Sequence, residues 1–220
     1  MGRIILTIAG SSEKPPAFNT ELRAEVKGPD AEFAEDFIFV GRRAQVIEDA
    51  DVARIRKHRW LLHVGVQFEG VSRDWAQQAV EFVVGLAEEE LAGVFVETSC
   101  KAFSPRALKD FDPKDAHNLF HFFVEIMGDQ SYMTTDGMFA FGLPEVRAPY
   151  SQLNRESAQA AVIGLAARMV CEGHQPVDGG YFRASESAPL YEVSRQPEAT
   201  SPGDDVYSNP LPPWQLDLSA

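Results

Sequence analysis

Histidines and carboxylates at alternate positions of apolar segments are the residues of this chain best placed to do chemistry. Leu62, Val64, Val66 and Phe68 alternate with His63, Gly65, Gln67 and Glu69, while Phe120, Phe122, Val124 and Ile126 alternate with His121, Phe123 and Glu125. Glu97 sits between Val96 and Thr98 in a third such run. A period of two marks a strand with one buried face, so His63, Gln67, Glu97, His121 and Glu125 are expected on the opposite faces. If the three strands are neighbours, imidazoles and carboxylates gather on one sheet, where a carboxylate-tuned histidine serves as acid, base or metal ligand. The same alternation equally describes the polar side of a half-buried sheet whose histidines are each hydrogen-bonded. His117 and His121 have the spacing of paired ligands on a helix, but in a strand that spacing spans about 13 Å, too far for one ion. No metal and no cofactor is expected. Phosphate-binding loops, nucleophile elbows and zinc-protease motifs are absent from the sequence.

A second group of candidates lies in the run T-T-D-G-M-F-A-F-G-L-P-E-V from Thr134 to Val146. Gly137 and Gly142 allow positive φ or close backbone approach, Pro144 fixes φ, and Phe139 and Phe141 are anchors. With Asp136 and Glu145 at its two ends, the run reads as a binding loop. Glu145 is either a functional carboxylate or one that ties the loop down by accepting backbone N–H groups. The segment G-M-F-A-F-G-L-P-E-V resembles the core motif of an uncharacterised bacterial family, domain of unknown function 4261, whose pattern is about T-x-G-M-x-x-F-G-x-x-E-hydrophobic. The likeness extends to Leu62-His63-Val64, to the helical pattern from Trp75 to Leu86 and to the turn Pro176-Val177-Asp178-Gly179-Gly180, about residues 60 to 195 in all. Gly180 stands where the family has a second acidic residue, which removes a paired-carboxylate site there. The resemblance implies a fold neighbourhood and names no reaction.

Around these candidates the pattern predicts a strand over 3–8 and a hairpin of Phe37 to Val40 with Val46 and Ile47, turning at Gly41. Residues 42–59 read as a solvated helix with six cations against three acids. No aromatic residues interleave there, so it makes a poor nucleic-acid site. A helix capped by Ser72 buries Trp75, Ala79, Phe82, Val83 and Leu86 and leaves at Gly93. Strands follow over Val94 to Cys100 and Leu119 to Met127, then a helix from Ser151 to Cys171 that stops at Gly173. This order predicts an α+β fold, an antiparallel-rich mixed sheet with helices packed on one face. It is expected as one domain over 1–195, with sub-halves 1–59 and 60–195 related as an internal pseudo-repeat. Five prolines among the last 25 residues predict an extended tail over 196–220, barred from a central strand and docked through Trp214, Leu216 and Leu218.

The formal charge of −13 repels nucleic acid and anionic membranes and suits a basic protein partner. Two cysteines without metal or disulfide spacing fit a reducing, cytoplasmic compartment. No apolar run reaches the length of a membrane span, and Leu6 breaks the myristoylation pattern that Gly2 would begin. Two functions stand: a non-enzymatic protein-binding domain in the manner of immunity or adaptor proteins, or a small-molecule-binding or hydrolytic enzyme. The second would use His63, Glu97, His121 or Glu145 beside the G-M-F-A-F-G-L-P-E loop.

Overall fold

The computed structural model describes residues 1–15, 22–86, 89–151, 153–197 and 209–219. The fold is α+β, built on two mostly antiparallel sheets. Elements in the first half are β1 (Gly2–Gly10), β2 (Arg23–Lys27), α1 (Ala31–Arg43), α2 (Asp49–Ile55), β3 (Trp60–Phe68), α3 (Asp74–Val84), β4 (Leu91–Val96) and β5 (Lys101–Phe103). They form a five-stranded sheet in the order β2-β3-β1-β4-β5. β1 pairs antiparallel with both β3 and β4, so β3–α3–β4 is a crossover between parallel strands with β1 inserted between them.

After α4 (Pro105–Leu108) and α5 (Ala116–Phe123) come β6 (Glu125–Gly128), β7 (Tyr132–Asp136), a 3-10 turn (Met138–Phe141), β8 (Val146–Pro149), α6 (Arg155–Cys171), β9 (Gly180–Phe182), β10 (Tyr191–Arg195) and β11 (Trp214–Leu218). These strands make a six-stranded sheet in the order β6-β7-β8-β11-β10-β9, with only β8 and β11 parallel. The chain therefore divides between its sheets near residues 104–124. The expected boundary at 59/60 falls between α2 and β3, inside the first sheet's half of the chain.

Two expected elements change type and one helix ends earlier than expected. Phe37 to Ile47 is no hairpin: α1 takes up Phe37 to Arg43, and that helix is capped by Asp30, whose side chain accepts the N–H groups of Glu32 and Phe33. Ala34, Phe37, Ile38 and Gly41, at helical spacing, form its buried stripe. Leu119 to Met127, expected as a strand, is the end of α5 followed by the short β6. Asp115 accepts the His117 N–H at 2.9 Å to start that helix, and Leu119, Phe122 and Phe123 are buried at i, i+3 and i+4. A nearly continuous apolar run satisfies both periods, so alternation alone does not separate them. Gly93 does not end α3, whose C-cap is Gly85. It lies in β4, where a Cβ would collide with the ring of Phe37, so its bareness lets α1 lie close on the sheet.

The first sheet departs from the expectation of helices on one face. Ala9, Leu61, Ala92, Phe95 and Ala102 pack with α1 and α2 on one side, while Ile4, Leu6, Ile8, Leu62, Val64, Val94 and Val96 belong to the main core with α3 and α6 on the other. The second sheet buries Met133, Val146, Ala148, Trp214, Leu216 and Val193 against the same core. Its other face carries Tyr132, Thr134, Arg147, Gln215, Asp217 and Glu192, all half-exposed or exposed. Among the described residues no helix is long and apolar enough to cross a membrane.

Residues 214–218 lie inside the second sheet, between β8 and β10, which corrects the exclusion of the tail from a central strand. Pro210, Pro212 and Pro213 all precede β11, so no donor is missing from its ladder. Trp214 and Leu216 are buried, whereas Leu218 stays exposed. Deleting residues 210–220 separates β8 from β10. We expect the truncated chain to lose its cooperative thermal transition, and an unchanged melting curve would show that the sheet closes without β11.

Candidate functional site

The sequence places His63 and Glu97 on one sheet face, and β1 joins them. Thr7 lies opposite His63 in the β1–β3 register, and Glu97 follows β4 with its N–H on the Ile5 carbonyl. The buried Thr7 hydroxyl donates to Glu97 Oε1 at 2.6 Å and sits 2.9 Å from His63 Nδ1. A threonine has one proton to give. With it on Glu97, the bond to His63 requires Nδ1–H, leaving Nε2 as the acceptor nitrogen. Burial, then the Lys27 charge, hold the imidazole below its ordinary range. Burial pushes the Glu97 carboxyl up. Thr7 was missed in the sequence, where its signal was a lone polar residue on the opposite parity of Ile4, Leu6 and Ile8.

His121 and Glu125 do not join this array. Their separation follows from the change of 119–127 to a helix and a short strand. On a helix His117 and His121 share a face, so the distance argument against the pair no longer applies; His117 Nδ1 instead lies 3.5 Å from Cys171 Sγ. Among the described residues no three His, Cys, Asp or Glu gather as metal ligands. Lys101 Nζ donates to the carbonyls of His121 and Val124 and lies 3.5 Å from Glu125 Oε2. It thereby caps the C-terminus of α5. Lys101, His121, Glu125 and Cys100 line a cavity of about 340 Å3. The turn leading to it, 97–100, also holds the buried hydroxyls of Thr98 and Ser99, which have no hydrogen-bond partner among the described residues.

Glu145 is buried. Its Oε2 accepts from the Thr135 hydroxyl at 2.6 Å and from the Met138 N–H at 3.4 Å, and its Oε1 accepts from Asn209 Nδ2 at 2.9 Å. Asn209 also reaches the Leu143 carbonyl, and the Trp214 N–H donates to the Glu145 carbonyl. Of the two roles open to Glu145, this geometry is the fastening one. The carboxylate ties the loop both to β7 and to the segment that leads into β11. Burial pushes its pKa up to about 7, against three stabilising donors. Asp136, at the end of β7, is raised to about 6 by burial and by Glu125.

The rest of the loop is core rather than surface. Phe139, Phe141, Gly142 and Pro144 are buried, and the Phe123 ring meets Phe141 edge-on at 5.8 Å. Gly137 and Gly142 have φ of 106° and 70°. A Cβ at either would collide with a carbonyl oxygen, of Phe123 or of Gly70, so glycine is required twice over. The loop presents no open binding surface of its own. Because Glu145 is enclosed and the cavity at His121 includes neither Glu145 nor His63, the candidate residues form no common site. Comparison with known proteins adds no relative: no family model, curated protein or solved structure matches the chain.

Two tests follow from this geometry. Phe141→Ala removes a fully buried ring and should cost about 3–5 kcal/mol, read as a large fall in the denaturation midpoint; a wild-type midpoint would contradict the packing. Glu145 has a folded pKa above its unfolded value, so its contribution is intact below about pH 4.5 and is lost as pH rises through about 7. Asp136 acts in the same direction at lower pH. Stability should therefore fall as pH rises from about 4.5 to about 7, by about 3 kcal/mol for the Glu145 part. Denaturation of Glu145→Gln across that range should show a flatter profile; an equally steep one would remove Glu145 as the cause.

Proposed function

We propose that this protein is a non-enzymatic, cytosolic binding domain that takes a basic protein partner on the outer face of its second sheet. One observation carries the reading: the strand register aligns Tyr181, Glu192 and Asp217 in a row across β9, β10 and β11. Directly paired residues share a face, so two carboxylates and a phenol ring stand together. Tyr181 is 65% exposed, and neither Glu192 nor Asp217 has an ion pair among the described residues. Like charges directly opposite on a sheet disfavour folding, and two carboxylates beside an aromatic ring are what a guanidinium or ammonium group needs.

The face is held in order beside this row. Arg147 Nε donates to Gln215 Oε1 at 3.1 Å and lies 4.8 Å from the Tyr132 ring centroid, and Gln215 in turn donates to Asp217 at 3.0 Å. Side chains already fixed by one another lose little freedom when a partner docks. From residue 172 to the end the sequence has eight acidic residues against two arginines, so the field around the row attracts cations. The enzymatic alternative loses support because its carboxylate, Glu145, is enclosed and hydrogen-bonded.

The test is affinity capture from the native host with the wild-type chain and with Glu192→Lys/Asp217→Lys, at low and high salt. A basic protein held by the wild type, released by salt and lost with the double substitution is expected. Glu192→Lys alone should leave the melting temperature unchanged or raise it, since it converts a repulsion into a pair with Asp217. Capture that survives both salt and charge reversal would end the proposal.

A further inference from the structure

Three segments converge on the cavity of about 340 Å3: the end of α1 and the turn after it (Val40, Arg43, Val46), β5 with the turn before it (Cys100, Phe103), and the α5–β6 junction (His121). Valine and phenylalanine side chains give it an apolar lining. Its lining carries two cations, Arg43 and Lys101, against one carboxylate, Glu125, in a chain of net −13. Lys101 is occupied by two carbonyls and by Glu125, so that pair is closed. Arg43 makes no ion pair and no hydrogen bond among the described residues, and the His121 ring likewise has no hydrogen-bond partner there.

Backbone conformation marks the same place. The non-glycine residues with left-handed φ among those described are Gln45, at 58°, and Cys100, at 49°. Cys100 lines this cavity, and Gln45 stands in the chain between two lining residues, Ala44 and Val46. Gln45 closes α1, with the Val46 N–H on the Gly41 carbonyl, at a position where glycine is usual. Cys100 turns the chain from β4 into β5. Non-glycine residues held in this region persist where the surrounding structure imposes them, and such positions concentrate at ligand sites.

We propose that this cavity binds a small monocarboxylate with an apolar body, the carboxylate on the Arg43 guanidinium and the His121 imidazole. A guanidinium matches a carboxylate with two parallel hydrogen bonds, and a volume near the lower end of ligand pockets sets the size. A dianion such as phosphate fits poorly. Glu125 lines the wall, and Asp136 and Glu97 are close enough to Cys100 to hold its thiol in the protonated form, after burial itself. Burial and the Lys101 charge also hold His121 toward its neutral form, so the cavity offers one full positive charge and one hydrogen-bond donor.

The test uses benzoate, 3-methylbutyrate and 4-phenylbutyrate with the full chain, each beside its neutral amide and beside inorganic phosphate. At least one acid should bind saturably at one site, at least tenfold more tightly than its amide, and should not be displaced by phosphate. In a Cys171→Ser background the bound acid should slow alkylation of Cys100, and Arg43→Gln, an exposed change, should weaken binding at least tenfold. Failure of all three acids overturns the proposal, as does equal binding of acid and amide, displacement by phosphate, unaltered Cys100 alkylation or undiminished affinity in Arg43→Gln.

Discussion

The second sheet depends on a buried carboxyl group, that of Glu145. Burying an ionisable group is costly unless donors surround it, and Glu145 has three, from β7, from the 3-10 turn and from Asn209, which lies 64 residues further along the chain. Each donor belongs to a different segment. Satisfying that one side chain therefore requires the loop to be closed and the C-terminal segment to be in place together. Thr135 extends the network, because its oxygen also accepts the Val146 N–H at 2.8 Å. Such a network ties β7 and β8 at the point where β11 begins, since the Trp214 N–H reaches the Glu145 carbonyl.

Once β11 starts there, its register is set, with Trp214 opposite Val146 and Arg195. Everything on the outer face follows from that register. A shift of one residue would turn Trp214 and Leu216 outward and bury Gln215 and Asp217, an exchange of apolar for polar contacts on every position. The alignment of Asp217 with Glu192 and Tyr181 is thus a consequence of core packing on the opposite side. Arg195 lies over the Trp214 ring, 4.7 Å from its centroid, at the margin of that core.

Much of the fold was legible locally. The strand over 62–68 follows from its alternation, whereas the helix expected from Ser151 begins at Arg155 behind Asn154, and Arg73 rather than the expected Ser72 stands at the N-cap of α3. Phe37 and Leu119 to Phe123 were misread because dense aromatic runs carry no unique period. Of the candidate residues, His63 and Glu97 do share a face, but through Thr7, and no spacing in the chain relates residues 7, 63 and 97. His121 fell elsewhere as soon as its segment became helical.

By itself the sequence determined the α+β class, the buried alternation of the strand at 62–68 and the backbone freedom that glycine allows at 137 and 142, since these depend on short-range sterics and periodicity. Only the tertiary structure decided that Glu145 fastens the loop, that residues 214–218 form an interior strand and that Arg43, Cys100 and His121 meet around one cavity. Those outcomes depend on hydrogen bonds and packing between segments far apart in the chain. Local preference carries no information about which distant donor will reach a buried carboxylate, because many arrangements satisfy the same propensities and only the assembled core selects among them.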